Sequence, residues 1–294
     1  MDRRSTYKNK WLPWLLLAPQ LMLVFVFFYW PASQALFWAF TLERPWGGGN
    51  EWVGLDNFRA IFADRIYWAT VLRSAVYAAV TTAISMGVAL MLAVFADRVL
   101  KGSKIFQSIF VWPYAIAAPA AGVAFRFIFA PEAGLVGGVN QLWPGLWDPA
   151  TNGLQALVMV MICHAWLGIG YNFVFFLAAL QMIPRSISEA GAMDGARPWR
   201  RMIDLQLPLI APTAFFLLIM NIISSFTDSF GLIDTMTEGG PVGQTQVMVY
   251  KLYYDGFKGL DYSGAAAQSI VLMLLVMALT FVQFRWVERR VHYN

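Results

Sequence analysis

Six long apolar stretches, separated by short polar ones, confine this chain to a narrow set of folds. They run over roughly 12–40, 69–96, 105–129, 154–181, 209–233 and 265–286. Each is long enough to cross a bilayer core of about 30 Å as a helix rising about 1.5 Å per residue. Charged residues make up 13% of the chain, where a soluble domain carries about 25%. The pattern predicts an all-α membrane protein with six transmembrane helices.

Lysine and arginine set the expected orientation. With the N-terminus inside, the inner side receives Arg3, Arg4, Lys8, Lys10, Arg98, Lys101, Lys104, Arg185, Arg197, Arg200, Arg201, Arg285, Arg289 and Arg290. The outer side receives Arg44, Arg59, Arg65, Arg73, Lys251 and Lys258, and Arg126 stays in a span. Both termini are therefore expected in the cytoplasm: a tail over 1–11, a first helix and outer loop over 12–68, a core over 69–286, and a tail over 287–294. The first apolar stretch lacks a small-residue cleavage site and reads as an anchor, not a leader.

Several functions drop out on composition. A net charge of +4, with the basic residues at segment ends, does not argue for nucleic acid. Cys163 is the single cysteine, and His164 and His292 stand far apart, so neither a disulfide framework nor a metal site is expected. No Gly-rich phosphate loop ending in Gly-Lys-Ser/Thr is present. Pro13, Pro19, Pro31, Pro113, Pro119, Gly168 and Gly170 fall inside spans, and broken helices in spans three and four would open a cavity.

The polar interruption at 184–208 holds the most local information. Ile183-Pro184 ends span four, and Ser186 with Glu189 has the spacing of a capping box that starts a short helix. Ile187, Ala190, Gly191 and Met193 then fall near one face, and Gly195 is suited to stop the helix in the left-handed region. Arg197, Arg200 and Arg201 follow, leading through Leu205 to Leu207-Pro208. The expected product is a helix-turn-helix along the membrane surface. Its arginines would hold lipid phosphates, or its small face would seat in a cytoplasmic motor.

The segment resembles the cytoplasmic signature loop of bacterial ABC-importer permeases, written Glu-Ala-Ala, three residues, Gly, nine residues, Ile-x-Leu-Pro. Here Glu189, Ala190 and Gly191 are followed by Asp194-Gly195, Leu205 and Leu207-Pro208, with Gly191 and Leu205 departing conservatively. Val53-Gly54-Leu55-Asp56-Asn57-Phe58, Trp112-Pro113-Tyr114-Ala115 and Thr237-Glu238-Gly239-Gly240-Pro241 with Thr245 are similar to segments of the carbohydrate-uptake group. The C-terminal third resembles the A-type permease of glycerol-3-phosphate importers, through Asp255-Gly256-Phe257, Gly259-Leu260-Asp261, Ala266-Ala267-Gln268-Ser269, Gln283-Phe284-Arg285 and Val287-Glu288.

The resemblance implies a type I importer permease in the bacterial plasma (inner) membrane. Its partners would be a second permease, two ATP-binding subunits and an extracytoplasmic binding protein, with ATP and Mg on the ATPases and no cofactor in this chain. Ser186, Glu189, Ala190, Gly191, Met193, Asp194, Gly195, Arg200, Leu207 and Pro208 would form the ATPase-coupling element, transmitting closure to spans four and five as a rigid body.

Substrate candidates flank that loop. In sugar-importing relatives the equivalent of Leu167, Gly168, Tyr171 and Asn172 lines a midplane cavity, and span five adds Ser225, Phe226, Asp228 and Ser229 among Asn221, Ser224 and Thr227. An aromatic face with hydroxyls and amides suits a polyol; the same residue types also bond helix to helix in membrane bundles. His164 reads as a hydrogen-bonded core residue, and Arg126 as a cation snorkelling at the outer end of span three. The cargo expected is glycerol-3-phosphate-like or carbohydrate, with a neutral, sulfonated or phosphorylated glycoside or an oligosaccharide as the alternative. An ion-coupled carrier is the competing class, and it would transport without partners.

Overall fold

The computed structural model describes residues 11–43, 49–98 and 108–287. Arg3, Arg4, Lys8, Lys10, Arg44, Lys101, Lys104, Arg289 and Arg290, the start of the third apolar stretch and the tail from Glu288 lie outside the described residues. Two compact units are present, Met1–Asp64 with Leu252–Val271, and Arg65–Lys251 with Leu272–Asn294.

The first unit opens with α1, Leu12–Ala39, a helix of 28 residues. Pro19 lies within it, and a π-helical turn over Phe25–Tyr29 precedes Trp30-Pro31. Proline offers no N–H to the carbonyl four residues back, and its ring clashes there. The wider turn, with the Trp30 N–H donating to the Phe25 carbonyl, lets the helix continue past it. A short antiparallel ribbon departs from the all-α expectation: β1, Thr41–Glu43, pairs with β2, Asn50–Trp52, with Thr41 opposite Trp52. Asn57 Nδ2, on α2 (Asp56–Ala63), donates to the Ala39 and Thr41 carbonyls at 3.0 and 2.9 Å. Phe58 and Trp52 pack on Phe40, with ring centroids at 5.3 and 5.7 Å. The Val53–Phe58 motif is thus the clasp that closes the ribbon onto the helix end.

In the second unit, α3 (Arg65–Arg98) lies along α7 (Gly153–Gln181). Ala89, Ala93 and Ala96 meet Phe173, Phe176, Leu177 and Leu180 in a core that Leu217 and Ile210 complete. Small side chains on one helix let the backbones approach, which drives association where lipid removes the hydrophobic effect. Two other apolar segments are bent pairs: α4 (Ser108–Ala115) with α5 (Ala118–Ile128) at 104°, and α9 (Pro198–Leu209) with α10 (Ala211–Thr227) at 74°. Ile116 and Ala117 take extended backbone, which makes the first break, and Pro119 falls in the first turn of α5, where its missing N–H costs nothing. α6 (Gly137–Leu142) and α11 (Phe230–Met236) are short, α12 covers Met248–Tyr253, and α13 covers Tyr262–Val287. The described residues hold four helices long and apolar enough to cross a membrane, or up to six if each bent pair is one span.

Span four corrects the expectation drawn from its glycines. α7 is continuous through Gly168 and Gly170. A Cβ on Gly170 would stand 2.6 Å from the Phe110 carbonyl oxygen and 3.2 Å from Val111 Cα, so this glycine admits the backbone of α4. Backbone cannot swing aside as a side-chain end can. Gly170→Val is expected to destabilise the protein by about 1–3 kcal/mol through overpacking, read as a lowered unfolding temperature in detergent. An unchanged unfolding temperature would contradict the contact.

Candidate coupling surface and translocation cavity

The polar loop folds as two helices, α8 (Arg185–Met193) and α9. The capping box does not form. Pro184 is the N-cap, with φ −56° and ψ 130° and no side-chain cap, and Ser186 lies within the first turn. Proline already sets the entry dihedral and turns the chain out of α7, which leaves the serine nothing to cap. The end of α8 follows expectation. Gly195 has φ +74°, the Ala196 N–H donates to the Gly191 carbonyl at 3.0 Å, and the Gly195 N–H to Ala192 at 3.0 Å. These two bonds form a Schellman stop, which needs a residue at ease in the left-handed region.

The four residues expected on one face separate. Gly191 is buried and Ile187 half-buried, whereas Ala190 is exposed and Met193 is 89% exposed. A Cβ on Gly191 would lie 2.7 Å from Leu205 Cδ1 and 3.4 Å from Arg201 side-chain carbons. The two departures from the family signature therefore meet: the longer reach of Leu205 occupies the space that the missing methyl leaves. Arg201 Nη1 donates to the Ser188 carbonyl at 3.0 Å, fastening α9 beneath α8. Arg200 pairs with Asp204 at 3.0 Å in the open, a contact of small energetic weight. Ser186, Glu189, Ala190, Met193, Asp194 and Gly195 are left facing outward, while Leu207 packs on the core and Pro208 is exposed. A second π-turn, Met202–Gln206, sits two residues before Pro208, with the Leu207 N–H donating to the Met202 carbonyl. It is the device seen before Pro31, and it gives the closing Leu-Pro a physical role.

Above the loop, Leu167, Gly168 and Asp228 share a cavity of about 180 Å³ with Tyr114, Ile116, Ala118, His164, Ser224 and Leu232. Asp228 ends α10, its N–H donating to the Ser224 carbonyl at 2.8 Å and its Oδ1 accepting from Thr227 Oγ1 at 3.0 Å. Tyr171 lies one turn below Leu167, against Tyr114 at 5.5 Å and Phe175 at 4.8 Å between ring centroids. His164 holds a hydrogen bond between Nδ1 and the Tyr77 hydroxyl at 2.8 Å, as a core histidine would, and also lines the cavity. His164, expected only as a core residue, and Tyr114 are not among the expected pathway residues, whereas Ser224 is named with the polar residues of span five. The signal for His164 was its spacing, since it stands four residues before Gly168 on the same helix face.

The remaining candidates point into the protein. Asn172 is 0% exposed and its Nδ2 donates to Ser85 Oγ (2.7 Å), Asn221 Oδ1 (2.9 Å) and the Gly168 carbonyl (3.0 Å). Asn221 Nδ2 returns a bond to Asn172 Oδ1 at 2.7 Å, so the two amides pair reciprocally. A Cβ on Gly168 would come 2.6 Å from Ser85 Oγ, so this glycine makes room for the cluster. Ser225 meets Thr81 at 3.0 Å, and Phe226 and Ser229 are buried. These bonds tie α3, α7 and α10 together, the helix-to-helix use of amides and hydroxyls. Arg126 borders a separate cavity of about 340 Å³ with Glu238 and Pro241, its Nη1 directed at the Thr235 carbonyl at 3.4 Å. No group of three or more His, Cys, Asp or Glu that would hold a metal exists among the described residues.

Residues 85–293, from the second half of α3 through α8 and α9 and beyond, match the family described as "Binding-protein-dependent transport system inner membrane component". The chain belongs to this family. It is 46% identical over 292 residues to the sn-glycerol-3-phosphate transport system permease protein UgpA of Brucella abortus biovar 1 (strain 9-941), covering 99% of this chain and 100% of that one. The protein of the same name from Yersinia enterocolitica is 46% identical over 291 residues, covering 99% of each. Among solved structures, a bacterial ABC transporter involved in the import of the acidic polysaccharide alginate aligns with a TM-score of 0.82 at 21% identity, over 96% of both chains. The alginate transporter in complex with alginate pentasaccharide-bound periplasmic protein also gives 0.82, at 19% identity over 98% of this chain and 97% of that one. The protein is therefore an inner-membrane transport component with the type I ABC permease fold, and not itself an enzyme.

Proposed function

We propose that this chain forms one half of the translocation pathway of an ATP-driven, binding-protein-dependent importer for glycerol-3-phosphate or a related carbohydrate. Each bent pair counts as one span, which gives six, with a core over 69–286 and both termini in the cytoplasm. A second permease completes the pathway. Two ATPases carrying ATP and Mg dock beneath, and an extracytoplasmic protein delivers the cargo. The observation that carries this reading is the coupling loop: a helix stopped at Gly195, braced from below through Gly191–Leu205, and turning Glu189, Ala190 and Met193 outward. Its face supplies a docking surface, and α7 and α10, which leave its two ends, border the cavity at Leu167, Gly168 and Asp228, with Tyr171 packed on the cavity-lining Tyr114.

The names of the UgpA relatives support glycerol-3-phosphate as cargo. In cells whose only uptake route is this importer, radiolabelled glycerol-3-phosphate is expected to accumulate in an ATP-dependent manner. Competition by unlabelled glycosides grades how far the carbohydrate alternative extends. Absent accumulation, with a glycoside taken up in its place, would move the cargo to that class and leave the importer reading standing.

A further inference from the structure

At the coupling-loop end of α3 an apolar groove of about 640 Å³ runs between that helix and α9. Its floor is Gly87, Leu90, Met91, Val94 and Phe95, and its far wall is Pro198, Trp199 and Met202, with Arg197 at the edge. Met91, Phe95 and Trp199 are 52%, 58% and 67% exposed, so nothing described in the chain covers it. Gly87 adds an independent observation. A Cβ there would meet nothing within 4 Å, and its φ is not positive, so neither internal packing nor backbone geometry asks for glycine. The missing side chain widens a groove whose use lies outside the chain.

Depth and charge select the occupant. The floor belongs to a membrane-length helix, so at that level the groove opens on hydrocarbon, while Arg197 and Trp199 stand where the polar residues begin. Arg200 is engaged by Asp204, and Arg201 donates to Ser188 and borders a neighbouring cavity with Asp97. Arg197 has no such partner among the described residues. An apolar slot ending at an unpaired guanidinium beside an interfacial tryptophan matches an amphiphile with an anionic head.

We infer that this groove holds one anionic phospholipid, with an acyl chain along Gly87, Met91 and Phe95 and its phosphate at Arg197. The lipid braces the second helix of the coupling element against α3, which makes coupling sensitive to the bilayer's anionic content. The inference rests on the proposed placement of the loop at the cytoplasmic boundary.

The test uses the complete importer, as wild type, Gly87→Phe (whose Cβ would meet nothing within 4 Å and whose ring is meant to fill the groove) and Arg197→Gln. Mass spectrometry reads phosphatidylglycerol retained per complex after detergent washing. Binding-protein-stimulated ATPase activity is titrated in phosphatidylcholine nanodiscs containing increasing phosphatidylglycerol. Wild type is expected to retain the lipid and Gly87→Phe to lose it, while Arg197→Gln needs a several-fold higher phosphatidylglycerol fraction for half-maximal stimulation. Equal retention in all three, or a wild type that retains none, overturns the proposal. Release of the second permease by Gly87→Phe also overturns it, by showing that a protein helix occupies the groove. Retention is read whether or not the complex hydrolyses ATP. Failure of the importer reading, seen as no binding-protein-stimulated activity in wild type, is thereby told apart from failure of the lipid site.

Discussion

Gly195→Val is expected to cut ATP-driven uptake at least tenfold and to strip the ATPase subunits from the purified complex. The residue sits at φ +74°, which costs an L-residue about 1–2 kcal/mol and a β-branched one more. The larger consequence is geometric. The Schellman bonds from Ala196 and Gly195 to the Gly191 and Ala192 carbonyls fix where α8 stops and how α9 leaves it. Without that stop the outward set Glu189, Ala190, Met193 and Asp194 loses its orientation over the Gly191–Leu205 brace. Asparagine tolerates the left-handed region, so Gly195→Asn is expected to retain most of the uptake. Uptake in cells and ATPase co-purification read both variants. A valine variant that assembles and transports like wild type would remove the coupling role from this loop.

The second large effect separates residues that hold the helices from residues that meet cargo. Asn172→Leu breaks the reciprocal amide pair and leaves Asn221 and Ser85 short of partners inside the bundle. Interhelical hydrogen bonds in membranes average about 0.6 kcal/mol each, and stranding a buried polar partner adds to the loss, so a total of about 1–3 kcal/mol is expected. The measurement is a pair: unfolding temperature of the complex in detergent, and KM for uptake. Asn172→Leu should lower the first and leave the second unchanged. Leu167→Trp, which places a large ring in a cavity of about 180 Å³, should do the reverse and raise KM several-fold. A shifted KM in Asn172→Leu at normal stability would return this residue to the pathway.

Much of this architecture is readable in the sequence because a bilayer imposes blunt requirements. Apolar length marks the long helices, and Pro119 marks the start of α5 after the break. Gly195 is legible as a helix stop since few other residues take its conformation. Glycine inside a span is ambiguous by nature. It weakens a helix and it also lets a neighbour approach, and at Gly168 and Gly170 the second use prevails, with Ser85 and the Phe110 carbonyl as the neighbours. Ser186 and Glu189 match a capping box, but Pro184, two residues before Ser186, had already settled the entry, and spacing rules do not rank competing starts.

The cavity was partly legible for a related reason. Leu167, Gly168 and Asp228 do line it, whereas Asn172, Ser225 and Ser229 sit inside the bundle. Amides and hydroxyls serve helix contacts and ligand contacts alike, and only the rotation of each helix decides between them. His164 shows the converse. It makes the core hydrogen bond expected of it and still faces the cavity, since the bond to Tyr77 uses one ring nitrogen and leaves the other.

Transport is expected to depend on partners and on ATP. The direct measurement is uptake into proteoliposomes, comparing this chain alone under imposed proton and sodium gradients with the complete complex containing ATP and the binding protein. The complete complex should accumulate cargo and stop when ATP or the binding protein is omitted, and the chain alone should accumulate none. Accumulation by the chain alone, driven by an ion gradient and indifferent to ATP, would contradict this dependence.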